Sequence, residues 1–180
     1  MLVVAATRLE LERIEAAESL VCGIGPVEAT LATARALEVA RPDAVLNVGI
    51  AGARALEPGS IVIGSESIYC DLADPSSTIR RVDRLKPDEA LLDLAGRALP
   101  AAYRRPIATS ARVGGGQVHC DVEAMEGFGV LRAAAESGVP ALELRAISNR
   151  FDDERSAWRV ESALASLAEA VATLLGVLGA

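Results

Sequence analysis

Apolar residues along this chain recur with two spacings, and their alternation sets out a series of strands and helices. Residues 2–6 (LVVAA) are a short unbroken apolar run, which suits a strand, and 9–17 carry charges at helical spacing. A second strand is predicted over 19–24. It runs into Gly23-Ile24-Gly25-Pro26, where glycine permits a sharp turn and Pro26 suits a first helical turn, so a helix follows over 27–40. The run AVLNVGI at 44–50 is nearly all apolar, as in a strand covered on both faces. Pro58-Gly59 marks a turn, and 60–70 is a long strand rich in β-branched residues, followed by a polar, irregular stretch over 71–86. A helix over 88–99, a strand over 107–113 after Pro106, and a loop at Gly114-Gly115-Gly116 come next. The pattern then predicts a helix over 121–137 stopped by Gly138 and Pro140, a strand over 141–148 (ALELRAIS) and a closing helix over 156–178. In that last helix Val160, Leu164, Leu167, Val171, Leu174 and Leu178 step by three and four, which gives one apolar face.

Strands that alternate with helices imply an α/β fold of three layers: a central mixed, largely parallel sheet with helices on both faces. The 180 residues suit a single domain over 1–180, with no internal repeat and no low-complexity linker. Ligands of such sheets bind beyond the carboxyl ends of the strands. That rule directs attention to the turn after Ala6, the 49–53 loop, the segment preceding Met125, and Ser148-Asn149.

Composition narrows the picture. Hydrophobic residues make up 51% and aromatic ones 3%, so the core must be built from Ala, Val, Leu and Ile. The net charge of −7 and the absence of a basic patch argue against nucleic-acid binding. Cys22, Cys70 and Cys120 are odd in number and far apart, which fits buried free thiols in a reducing, cytoplasmic setting better than disulfides or zinc. The N-terminal MLVVAATRLELE lacks the layout of a signal peptide, and no apolar run is long and continuous enough to predict a membrane span. No metal constellation is visible; Asp152, Asp153 and Glu154 are adjacent, point different ways and fit a solvated helix start.

Several residues near the strand ends carry chemistry, each with an ordinary structural alternative. Glu10 follows the first strand and suits a general base that orients a water, although position alone favours an acid complementing a helix dipole. The segment NVGIAGA at 47–53 either admits a flat ligand close to the backbone or serves tight helix–strand packing. Glu126 in VEAMEGFGV suits a vicinal diol, with Met125 packing on a sugar face; the alternative is a solvated helical Glu beside a core Met. Asn149 carries donor and acceptor and so suits the edge of a nucleobase, or a simple turn. Arg145 lies mid-strand and calls for a buried acid as partner. His119, the single histidine, is a weak catalytic candidate, and Trp158 is more often a core or interface anchor than a ligand contact.

Taken in order, strand-then-Glu10, GIGPVEA, NVGIAGA, VEAMEG and RAISN resemble the nucleoside phosphorylase and nucleosidase superfamily. The branch most similar contains the methylthioadenosine/S-adenosylhomocysteine nucleosidases and the futalosine hydrolases. The resemblance implies a purine nucleoside phosphorylase-like fold, no cofactor, and a purine nucleoside as the small-molecule partner. It implies that Glu10 activates water and that Ala6, Ile50, Ala51 and Gly52 line the nucleoside. Met125 and Glu126 would grip the ribose, and Ser148 and Asn149 would meet the base, Asn149 assisting its departure. Ile50 in NVGIAG, without Arg or Ser to hold phosphate, points to water as nucleophile. Asn where adenine-directed relatives carry Asp favours a 6-oxopurine such as the hypoxanthine of futalosine, an intermediate of menaquinone synthesis. The tail ISNRFDDERSAWRVESAL, with Arg155 and Trp158, is also similar to the futalosine hydrolase pattern and makes Trp158 a possible pocket wall. The alternatives are a methylthioadenosine/S-adenosylhomocysteine nucleosidase and a non-catalytic nucleoside-binding relic. Where the family contributes an aromatic that stacks on the base, this chain has only GGGQVHCDVEA, so stacking must be weak or come from elsewhere, a neighbouring subunit included. A homodimer or higher homo-oligomer is the expected assembly.

Overall fold

A computed structural model describes residues 1–72, 78, 81–116 and 120–178. His119 lies outside the described residues. The eight strands are β1 (Leu2–Ala5), β2 (Glu18–Val21), β3 (Val45–Ala53), β4 (Ile61–Tyr69), β5 (Arg84–Leu85), β6 (Tyr103–Thr109), β7 (Val122–Ala124) and β8 (Ala141–Arg150). The helices are α1 (Arg8–Leu11), α2 (Pro26–Ala40), α3 (Glu89–Ala98), α4 (Gly127–Glu136) and α5 (Val160–Leu178).

Alternation along β1 shows how the layers form. Val3 and Ala5 face one side and join Leu46, Val48, Leu142 and Leu144 against α3 and α5, through Ala95, Ala163, Leu167, Val171 and Leu174. Leu2 and Val4 face the other side and join Val45 and Ala141 against Ala29 and Leu37 of α2 and Val130, Leu131 and Ala134 of α4. The three-layer α/β arrangement is therefore as the periodicity predicts. By length and composition α5 is apolar enough to cross a membrane. Here its Leu164, Leu167, Val171 and Leu174 are buried, and all but Leu164 belong to the cluster on the sheet, each such side chain contributing about 2 kcal/mol by leaving water.

The sheet is not a simple open one. Strands β2, β1 and β3 run parallel, and β3 continues parallel to β8. β8 is antiparallel to β4, β4 is parallel to β6, β6 is parallel to β7, and β7 returns antiparallel to β3. Strands β3, β8, β4, β6 and β7 thus close a ring, with Ala51, Ala53, Val62, Ile107, Val122, Ala124 and Ile147 inside it. The pairing of β3 with β8 passes from Ala51–Ile147 to Gly52–Asn149, so Ser148 is the extra residue of a bulge in β8, and the last two residues of β3 also pair with β7.

Three sequence expectations are corrected. The helix over 121–137 begins only at Gly127, because Val122 and Ala124 are paired into the ring as β7. The helix over 9–17 is a single turn, Arg8–Leu11. The last helix starts at Val160, since Arg155–Ala157 form a 3-10 turn and Trp158 is extended (φ −64°, ψ 131°).

Candidate active site

The carboxyl ends of β1, β3 and β8 open onto a cavity of about 410 Å³, within the range of small-ligand sites. The residues that the resemblance assigns to the site all line it: Ala6, Glu10, Ile50, Ala51, Gly52, Met125, Glu126, Ser148, Asn149 and Trp158. They come from six separate segments, and the parallel pairing of β1, β3 and β8 is what brings their ends together.

Glu10 is fixed by local sequence. Thr7 and Glu10 form a capping box, the pattern Thr-x-x-Glu that starts a helix. The Thr7 backbone N–H and hydroxyl donate to Glu10 Oε2 at 3.0 and 2.9 Å. Glu10 Oε1 accepts from the Ile50 N–H at 3.1 Å. The side chain is 8% exposed. Four lone-pair positions minus these three donors leave Oε1 one acceptor position. The two sequence readings of Glu10 are therefore compatible: it completes the cap of a one-turn helix and lines the cavity as well.

Glu126 stands at the N-cap of α4, yet it makes no side-chain bond to its own helix. Its Oε1 accepts from the Gly25 N–H at 3.1 Å, and its Oε2 from Arg145 Nη1 at 3.3 Å. Gly25 presents that N–H from a positive-φ turn (φ 92°), the conformation its GIGP context demands. The solvated alternative for Glu126 does not hold, since it is 5% exposed.

Arg145 organises the floor. Its Nε donates to Glu143 Oε1 at 2.9 Å, so it has the buried acid its position in β8 calls for, and Glu126 as a second partner. Burial opposes the charged guanidinium, but Glu143, Glu126 and Glu10 outweigh it and hold the pKa above the ordinary arginine value. Burial pushes the Glu143 carboxyl up, against the pull of Arg145. Gly49 makes this cluster possible: a Cβ there would collide with Arg145 Nη1 and lie 2.6 Å from Glu10 Oε1. Within NVGIAGA, Gly49 thus makes room for protein side chains under the cavity, while Ala51 and Gly52 line the cavity itself.

At the other wall, Ser148 Oγ donates to Asn149 Oδ1 at 2.8 Å, and Asn149 Nδ2 donates to the Arg150 carbonyl at 2.9 Å. One N–H of the amide is committed to Arg150 and one lone pair of Oδ1 to Ser148, which leaves a second N–H and a second lone pair for a ligand. Sequence reasoning missed Phe151, which lines the cavity two residues beyond Asn149 and supplies aromatic surface there. It also missed Glu123, whose oxygens accept from the Gly114 and Gly116 N–H groups, both at 2.5 Å, and hold the glycine loop against the cavity. The alternation of VEA in a strand is the signal that would have found Glu123. The described residues include no cluster of three or more His, Cys, Asp or Glu able to hold a metal ion.

This geometry agrees with what the chain is similar to. A family model described as the phosphorylase superfamily matches residues 19–178. Futalosine hydrolase of Streptomyces coelicolor is 38% identical, over 88% of this chain and 78% of the relative. A 5′-methylthioadenosine/S-adenosylhomocysteine nucleosidase of Actinobacillus succinogenes is 31% identical, over 73% of this chain and 67% of its own. Among solved structures, futalosine hydrolase of Helicobacter pylori superposes with a TM-score of 0.85 at 18% identity, covering 97% of this chain and 96% of that one. Fold and sequence match agree over most of the chain, and it belongs to the phosphorylase superfamily.

Proposed function

We propose that this chain hydrolyses the N-glycosidic bond of a purine nucleoside, and that the nucleoside is futalosine, released as hypoxanthine and dehypoxanthine futalosine within menaquinone biosynthesis. The observation that carries this reading is the convergence of Glu10, Glu126 and Asn149 on one cavity of about 410 Å³. The 38% identity to a futalosine hydrolase supports the choice of substrate.

In this mechanism Glu10 Oε1 uses its free acceptor position to hold a water and take its proton as the water attacks the sugar's anomeric carbon. Glu126 accepts hydrogen bonds from the sugar hydroxyls. As the bond to the base lengthens, positive charge develops on the sugar, and two carboxylates already in place stabilise it without reorganisation. Arg145 pairs with Glu126 and fixes its direction, and its charge also attracts that of Glu10. Met125 and Ile50 pack on the sugar, Phe151 and Trp158 offer faces for the rings, and Asn149 Nδ2 donates to the departing base.

The experiment is a base-release assay comparing futalosine and inosine with methylthioadenosine. Hypoxanthine released from futalosine ahead of adenine from methylthioadenosine supports the reading. The reverse preference selects the methylthioadenosine/S-adenosylhomocysteine nucleosidase, which the 31% identical relative favours. Ligand-dependent melting without base release identifies a binding relic. A homodimer, in the cytoplasm, belongs to the same proposal. Leu9 and Ile24 line the cavity while 52% and 62% exposed, and Val27 beside them is 72% exposed. A second copy over this rim would shield it from water. Sedimentation as a monomer at assay concentrations removes that part. The three free cysteines, all buried, accord with a reducing compartment.

A further inference from the structure

Glu143 is a buried acid to which the proposed mechanism gives no task. It is 1% exposed and does not line the cavity. It lies two residues before Arg145 in β8, so both side chains stand on the same face of the sheet. A Cβ on Gly127 would collide with both of its carboxylate oxygens. The carboxylate therefore sits against the first residue of α4, the helix end that favours a negative charge. From there it meets Arg145 from below, on the side away from the ligand.

A guanidinium fork fits a carboxylate best through two parallel N–H bonds. Arg145 does not meet Glu126 in that way. Only Nη1 reaches Glu126 Oε2, at 3.3 Å, while the Nε–H is committed to Glu143 Oε1 at 2.9 Å. Nη2 has no partner among the described residues. Glu126 Oε1 accepts from the Gly25 N–H. Each oxygen of Glu126 thus has one donor and keeps one lone pair, which suits the two hydroxyls of a vicinal diol. A second N–H bond from the Arg145 fork would use one of those lone pairs. We propose that Glu143 is a positioning residue for the sugar site: by holding Arg145 at Nε it limits the guanidinium to a single contact with Glu126 and leaves that carboxylate able to take both hydroxyls of the nucleoside. This inference rests on the role given above to Glu126. It explains why a second acid is buried beside an arginine that Glu126 alone could have paired, since the desolvation of that extra charge is costly unless it is held.

The test compares kcat/KM for inosine with that for 2′,3′-dideoxyinosine, which lacks both hydroxyls. Glu143→Gln keeps the size of the side chain and loses the charge that holds Nε. The inosine-to-dideoxyinosine ratio of this variant, divided by the wild-type ratio so that the intrinsic lability of the two nucleosides cancels, is expected to be about one tenth, the effect of losing one hydrogen bond to a charged group. Glu143→Asp keeps the charge on a shorter arm and is expected to retain about a third of the wild-type ratio. A merely structural role would lower the melting temperature and slow both nucleosides alike, without moving the ratio. A folded Gln variant with the wild-type ratio overturns the proposal. If the Gln variant does not melt cooperatively, the Asp variant decides, and an unchanged ratio there overturns it. If the wild-type chain releases hypoxanthine from neither nucleoside, the hydrolytic reading fails instead, and calorimetric affinities for the same pair then decide the role of Glu143 by the same ratio.

Discussion

The inner end of the cavity and its mouth are built on opposite terms. At the inner end Glu10, Glu126, Arg145, Ser148 and Asn149 are buried, and each has hydrogen-bond partners within the protein. At the mouth Leu9 and Ile24 are exposed apolar groups, and Arg155 has a ring beneath it but no carboxylate partner among the described residues. The inner end is already organised before any ligand arrives, so its side chains need not reorganise as charge develops during reaction. The mouth leaves surface and charge uncompensated, which a ligand or a second copy can satisfy. Chemistry is thus expected to reside in the first region and selectivity in the second.

The sharpest break in that contrast comes from Glu10→Gln, which keeps the size of the side chain but removes the base. Base release is expected to fall by about 10²–10⁴-fold while the protein still melts cooperatively. Retained turnover would remove Glu10 as the base. Arg145→Met should act on stability: it strands Glu143 and Glu126 without a counter-charge, and removing one partner of a buried pair costs about 3–5 kcal/mol. Chemical denaturation measures this, and a loss below about 1 kcal/mol would mean that the floor is not held by the ion pairs. Asn149→Asp tests the base wall. It should shift preference from hypoxanthine towards adenine release by about tenfold, read as a ratio of kcat/KM values.

Smaller effects are expected at the mouth and behind the site. Trp158→Ala should raise KM by about threefold to tenfold and leave kcat nearly unchanged, because it removes ring contact and not the reacting groups. Cys22 lies behind the inner end, and burial pushes its thiol from 9.0 to about 12, with Glu126 adding to the rise. The folded state therefore holds this proton more tightly than the unfolded chain does. Its contribution to stability is whole below pH 9 and fades as the pH climbs towards 12. At about pH 8, iodoacetamide should leave Cys22 unmodified until the chain is unfolded, since the thiolate is the reactive form. Labelling of the native protein at that site, read by mass spectrometry, would show an inner end more open than its hydrogen bonds imply.

The layers, the helices on either face and the position of the site at the strand ends were all legible in the chain. The unbroken apolar run of β1 and the three-and-four spacing in α5 are local properties, written in neighbouring residues. The capping box Thr7-x-x-Glu10 is equally local and fixes half of Glu10's geometry. The rest depends on groups far apart in sequence. Glu126 meets the Gly25 N–H across 101 residues, and Glu10 meets the Ile50 N–H across 40. Closure of the ring turned Val122–Ala124 from a predicted helix start into β7, because pairing with β3 and β6 outweighs a local helical pattern. Sequence alone therefore determined which apolar stripes build the core and at which end of the sheet a ligand sits. Tertiary structure alone decided which carboxylates share Arg145 and which cation is left facing the cavity, because hydrogen bonds and ion pairs depend on distances that only the folded chain sets.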